Sequence, residues 1–229
     1  MSQNRIRGDT VLTDTDVQRG HSLPRIGEKA PSFEATTTHG SIRLEDYKGS
    51  WLILFSHPAD FTPVCTTEFI AFQEIYPELK KMNTELLGLS IDSVHSHIAW
   101  VRNIEEKFNV KIEFPVIADL NKDVAHKYGM IMPEGKNTET SRAVFVIDGD
   151  QIVRAVVYYP LTTGRNMPEF LRLIQALQTT DQHGIATPAN WQPGDKVIVP
   201  PPTTQEQAEE RSKDTSLDCT DWYICKKNI

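Results

Sequence analysis

Trp51-Leu52-Ile53-Leu54-Phe55-Ser56-His57-Pro58-Ala59-Asp60-Phe61-Thr62-Pro63-Val64-Cys65-Thr66-Thr67-Glu68 changes character twice along its length. Its first five residues are an unbroken apolar run, the signature of a strand buried on both faces. Beyond Glu68, apolar residues recur at helical spacing: Phe69, Phe72, Ile75, Leu79 and Met82. Pro63 suits the first turn of that helix, where its missing N–H costs nothing and its φ is already helical. Cys65 therefore falls within the first turn, beside unpaired backbone N–H groups and the positive end of the helix dipole. Both favour a thiolate. A lone free cysteine is more often a small buried apolar residue than a nucleophile, but this strand–turn–helix setting weighs against that reading.

The rest of the chain alternates in the same way. Glu85 to Ile91 reads as a second buried strand, and Val94, Ile98, Val101, Ile104 and Phe108 mark one face of a helix. Phe114 to Ala118 reads as a third strand, followed by a short helix capped by Asn121 and stopped at Gly129. Arg142–Ile147 and Gln151–Tyr159 are β-rich and joined by the turn Asp148-Gly149-Asp150. Asn166 caps a further helix, with Pro168 in its first turn. Strands alternating with helices, then a hairpin and a helix, predict an α/β fold with a mixed sheet between helices. Three parts are expected: a leader over 1–25, a main domain over 26–184 and a C-terminal extension over 185–229. In the extension, Pro200-Pro201-Pro202 is a stiff spacer. Thr203-x-x-Glu206 has the form of a capping box for a helix running to about Lys213.

Charge and cysteine content narrow the function. The 229 residues carry a formal net charge of −7, which argues against nucleic-acid binding and against attraction to anionic membranes. No apolar run approaches the ~18 residues of a membrane span. The first 25 residues are polar, without the apolar centre of a signal peptide, so a cytoplasmic location is expected. Three cysteines are too few for a secreted disulfide scaffold. Cys219 and Cys225 lack the spacing and the following histidine of a zinc site, so no metal is expected.

Pro58-x-x-x-Thr62-x-x-Cys65 resembles the active-site motif of the peroxiredoxins, and the fuller string from Ser56 to Glu68 is similar to their one-cysteine subfamily. The segment from Thr187 to Pro200 resembles the start of that subfamily's C-terminal extension. The resemblance spans roughly residues 25 to 202. It implies a thioredoxin-like fold and a peroxidase needing neither metal nor organic cofactor. Peroxide would be the substrate and a thioredoxin-like protein or small thiol the reductant, in a homodimer or a decamer of dimers. By the same resemblance Cys65 is the peroxidatic nucleophile, Thr62 and Arg142 bind peroxide, and Pro58 shields the pocket. Arg165 and Glu68 support the site, Glu68 by orienting the arginines, and His57 lines the pocket. Read alone, these residues have plainer roles: Thr62 as a helix N-cap, Glu68 as an acid favoured by the helix dipole, the arginines as surface charges. His95 and His97, two apart on one helix, do not share a face and are set aside as ligands.

Some animal members of the family carry a lipase-type Gly-x-Ser-x-Gly. Here the corresponding place reads Lys48-Gly49-Ser50-Trp51-Leu52, so phospholipase activity is not expected. Paired C-terminal cysteines occur in archaeal-type members. Cys219, or Cys225 beyond it, is expected to resolve a Cys65 sulfenic acid, from an arm that need not pack on its own core. The alternative function is an oligomeric holdase chaperone or a peroxide-sensing interaction protein. A thioredoxin-like disulfide reductase is disfavoured, because the residue three after Cys65 is Glu68 and no Cys-x-x-Cys is present.

Overall fold

The computed structural model describes residues 23–132 and 138–229. Most of the leader expected over 1–25 lies outside the described residues. A seven-stranded mixed sheet forms the centre, in the order β2-β1-β5-β4-β3-β6-β7. Its strands are β1 Glu34–Thr37, β2 Gly40–Arg43, β3 Trp51–Ser56, β4 Thr84–Ser90, β5 Val116–Ala118, β6 Arg142–Ile147 and β7 Val153–Tyr159. β3, β4 and β5 run parallel, while β6 pairs antiparallel with β3 and with β7. This is the mixed sheet between helices expected from the alternating pattern, in the thioredoxin-like form that the resemblance implies.

The apolar run of β3 is continuous because both sheet faces are covered. Ile53 and Phe55 pack into a core with Phe69, Phe72 and Leu79 of α1 (Pro63–Lys81), Trp100 and Ile104 of α2 (Val94–Phe108), and Phe170 and Ile174 of α4 (Met167–His183). Leu52 and Leu54 face a second core with Phe33, Phe145, Val153, and Val124 and Ala125 of α3 (Asp123–Lys127). Gly88 on β4 is needed for this packing: a Cβ there would lie 3.3 Å from the rings of both Phe55 and Phe69.

Helix ends follow local chemistry, with corrections to the sequence reading. α1 begins at Pro63 as expected, and α4 stops at Gly184, whose φ of 59° suits a left-handed C-cap. Asn121 does not cap α3. Lys122 holds the N-cap position, and the Asp119 carboxylate accepts the N–H groups of Val124 and Ala125. In the extension the cap is Thr204, not Thr203, and its hydroxyl accepts the N–H of Gln207 at the start of α5 (Gln205–Lys213).

The extension does pack at its root. Ala176, Ile185, Trp191 and Val197 form a small third core, and Arg172 donates to the Trp191 carbonyl. Its tip is a separate three-stranded sheet of β8 (Val197–Ile198), β10 (Ile224–Lys227) and β9 (Asp218–Asp221), in that order. Cys219 and Cys225 face each other across β9 and β10 and are joined by a disulfide. No helix among the described residues is long and apolar enough to cross a membrane.

Candidate active site

Cys65 lies in the first turn of α1, fully buried and the one free cysteine of the chain. Arg142, the first residue of β6, donates from Nη1 to Cys65 Sγ at 3.4 Å and to Glu68 Oε2 at 2.6 Å. Its Nε and Nη2 both donate to the Leu161 carbonyl, at 3.0 and 2.8 Å. The guanidinium is therefore fixed from two sides. Arg165 completes the group: its backbone N and Nε donate to Glu68 Oε1 and its Nη2 to Glu68 Oε2, at 2.7–2.9 Å. Its Nη1 donates to the carbonyls of Ser56 and Ala143, and its guanidinium lies over the rings of Phe55 and Phe72, 5.2 Å from each. Burial pushes the Arg165 guanidinium down from its ordinary range, and Glu68 pulls it back.

Charge counting gives this group its chemical meaning. Arg142, Arg165 and Glu68 are each at most 7 % exposed. Two cations face one carboxylate, and one positive charge remains beside the Cys65 sulfur. Buried charge is tolerated when paired, and the Cys65 sulfur, 3.4 Å from Arg142 Nη1, stands where an anionic partner would complete the balance.

Pro58 is buried in the loop between β3 and α1. Thr62 occupies the N-cap position of α1, but its side chain makes no cap bond; its hydroxyl donates instead to the Ala59 carbonyl at 3.0 Å. The lone pairs of that hydroxyl are left to accept from another donor. Next to Arg142, an apolar concavity of about 380 Å³ is lined by Met132, Ser141, Tyr158, Tyr159, Pro160 and Leu161.

His57 has a different setting from the one expected. It is fully buried and packed on Phe69 and Trp100, with Nε2 3.0 Å from Asp60 Oδ1. The same carboxylate receives His97 Nδ1 at 2.9–3.0 Å, and His97 Nε2 donates to the Ile117 carbonyl. The sequence reading, which weighed His97 only against His95 on its own helix, did not foresee this contact, because the residues it meets come from other elements. Asp60 was missed altogether. Burial drives the Asp60 carboxyl up, but the hydrogen bonds from His57 and His97 outweigh it and hold it well below the usual carboxylate range. Burial pushes the His57 imidazole down. The three donor atoms lie within 4.8 Å of one another, close enough for a metal, yet here they satisfy one another by hydrogen bonds.

Comparison with known proteins places this geometry. The AhpC/TSA family model matches residues 26–156, and the C-terminal domain of 1-Cys peroxiredoxin matches 176–215. A peroxiredoxin of Aquifex aeolicus is 58% identical over 219 residues, covering 91% of this chain and 98% of the relative. One of Methanocaldococcus jannaschii is 53% identical over 217 residues, covering 90% and 100%. Among solved structures, a yeast mitochondrial 1-Cys peroxiredoxin resolved via glutathione/thioredoxin systems superposes with a TM-score of 0.81 at 42% identity, covering 90% of this chain and all of that one. Peroxiredoxin 6 of Arenicola marina gives 0.79 at 37%, covering 89% and 97%. With a buried cysteine at the head of a helix, an arginine on its sulfur and matches along nearly the whole length, this chain belongs to the AhpC/TSA family of peroxiredoxins and is a thiol-dependent peroxidase.

Proposed function

We propose that Cys65 is the peroxidatic nucleophile, with Arg142 and Thr62 holding the peroxide, Glu68 and Arg165 fixing Arg142, and Pro58 shielding the site. The observation that carries this is the unmatched positive charge at the Cys65 sulfur. The thiolate attacks one peroxide oxygen, an S–O bond forms as the O–O bond breaks, and the departing alkoxide or hydroxide takes up a proton. Arg142 meets the charge growing on the oxygens, the usual role of a fixed donor in a dry site. The product is a Cys65 sulfenic acid.

Cys219 then resolves it. Its thiol condenses with the sulfenic acid, releasing water and leaving a Cys65–Cys219 disulfide. Cys225 attacks Cys219, returns Cys65 to the thiolate and closes Cys219–Cys225, which an external dithiol reduces. The pairing of Cys219 with Cys225 beside a free Cys65 has the form of the product of this sequence. Cys219 is half-buried and Cys225 fully buried, which favours Cys219 as the first to react. Exposed Trp222, Tyr223 and Ile229 on the same tip support delivery within a homodimer or a larger assembly. The test is peroxide treatment of the reduced protein, followed by electrophoresis without reductant and peptide mapping. A Cys65–Cys219 linkage absent in Cys219→Ser is expected. Cys65 sulfinic acid with both tail thiols free would overturn resolution by the arm.

A further inference from the structure

The segment from His57 to Thr62 carries both Pro58 and Thr62, and beyond the His57 N–H, which donates to the Leu89 carbonyl, it is pinned at three points. Thr140 Oγ1 donates to the His57 carbonyl at 2.6 Å, and the Asp60 backbone N–H donates to Asp92 Oδ2 at 3.0 Å. The third point is the Asp60 side chain, which reaches His97 on α2. Proton counting defines that contact. His97 Nε2 faces a carbonyl, which only accepts, and His97 Nδ1 faces both oxygens of a carboxylate held ionised. One proton therefore sits on Nε2, and a second is held between Nδ1 and the Asp60 carboxyl. His57 donates from Nε2, and its buried Nδ1 meets no partner, so that ring is neutral. The other charged group facing the cluster is Asp92, which accepts from Ser90 Oγ and from the Asp60 backbone. Cys65 is fully buried, so no second sulfur meets it until the loop or the first turn of α1 moves.

We propose that Asp60 and His97 are positioning residues of the peroxidase site: a buried, hydrogen-bonded latch that ties the loop to α2 and opens before Cys65 sulfenic acid meets a thiol. This rests on Cys65 as the nucleophile. While the latch is closed, the sulfenate persists and a second peroxide oxidises it, giving sulfinate and an alcohol or water. Once it opens, the sulfenic acid and a thiol condense to a disulfide and water. The latch thus sets the partition between the two fates.

The experiment uses the full chain with hydrogen peroxide and dithiothreitol, in wild type, Asp60→Asn, His97→Gln and the double variant. Cys65 sulfinate formed per turnover is measured by mass spectrometry. It should fall by about tenfold, the factor expected when a charge-assisted hydrogen bond is lost, and equally in all three variants because the pair acts as a unit. Ile104→Val, a core variant away from the loop, should leave it unchanged. Unchanged sulfinate yield in the folded latch variants, or an equal fall in Ile104→Val, would overturn the latch. Failure of peroxide consumption in all variants alongside persistent activity of Cys65→Ser would instead strike at the nucleophile. If the latch variants do not fold, ¹⁵N spectra of the wild-type rings decide: both nitrogens of His97 should show hydrogen-bonded shifts, and His57 one hydrogen-bonded and one bare nitrogen. A bare nitrogen on His97 overturns the proposal.

Discussion

Cys65 and the Cys219–Cys225 pair occupy opposite surroundings. Around Cys65, contacts join residues far apart in the chain: Arg142 lies 77 residues from Cys65, and Arg165 lies 97 from Glu68. The partners come from α1, β6 and the approach to α4, so the sulfur's surroundings exist only when the whole domain is folded. The C-terminal pair is local, six residues apart on two short strands with exposed neighbours. One sulfur sits in a rigid, buried charge arrangement. Of the other two, Cys219 is half-buried on an exposed tip, which gives it the access that such an arrangement excludes.

The contrast is broken most sharply at its first term. Cys65→Ser should reduce peroxide turnover to background while the fold survives, because the side chains are nearly isosteric; a coupled peroxide assay and circular dichroism check both halves. Glu68→Ala should come next. It leaves two buried guanidiniums without a carboxylate, at a cost of about 3–5 kcal/mol, read as a lower denaturation midpoint together with lost activity. Arg142→Met should slow sulfenic acid formation by about 10²–10³-fold, the loss typical of a fixed donor at developing charge.

Acid should expose the core's dependence on charge. The folded His57 resists protonation, so unfolded chains gain a proton first and stability declines as pH falls below about 6.5. Asp60 is held low in the fold, so its contribution is present above about pH 4 and is lost below it. Asp60→Asn should flatten the lower limb of a stability profile taken by denaturant titration. The smallest effect on the main domain belongs to the arm: Cys219→Ser removes the Cys219–Cys225 disulfide, which closes only a short loop, so it should loosen the three-stranded tip by about 2 kcal/mol while the main domain's denaturation midpoint stays in place.

Legibility in the sequence followed the same division. β3, α1 and Cys65 at the head of that helix were readable because an apolar run, a proline and a helical period sit side by side. Arg142 and Arg165 as site residues came from resemblance alone, since an arginine opening a strand looks like a surface charge until its partner is known. Glu68 looked like an ordinary first-turn acid for the same reason. Asp60 and His97 left no local trace: they are 37 residues apart, and only the approach of α2 to the β3–α1 loop makes them a pair. Asn121 and Thr203 failed as caps because a suitable side chain one position away, or a more distant carboxylate, met the same N–H groups.

The tail's sulfur–sulfur bond, beside the bulge between β9 and β10, is lopsided, with Cys219 partly in solvent and Cys225 enclosed beside the Asp221 carbonyl. Such a bond has a direction. An incoming thiolate strikes the outer sulfur, and the inner one departs as leaving group. An incoming dithiol would thus be joined to Cys219 as a mixed disulfide, leaving Cys225 as a thiolate seated in the strand, and the dithiol's second sulfur would then release Cys219 and complete the reduction.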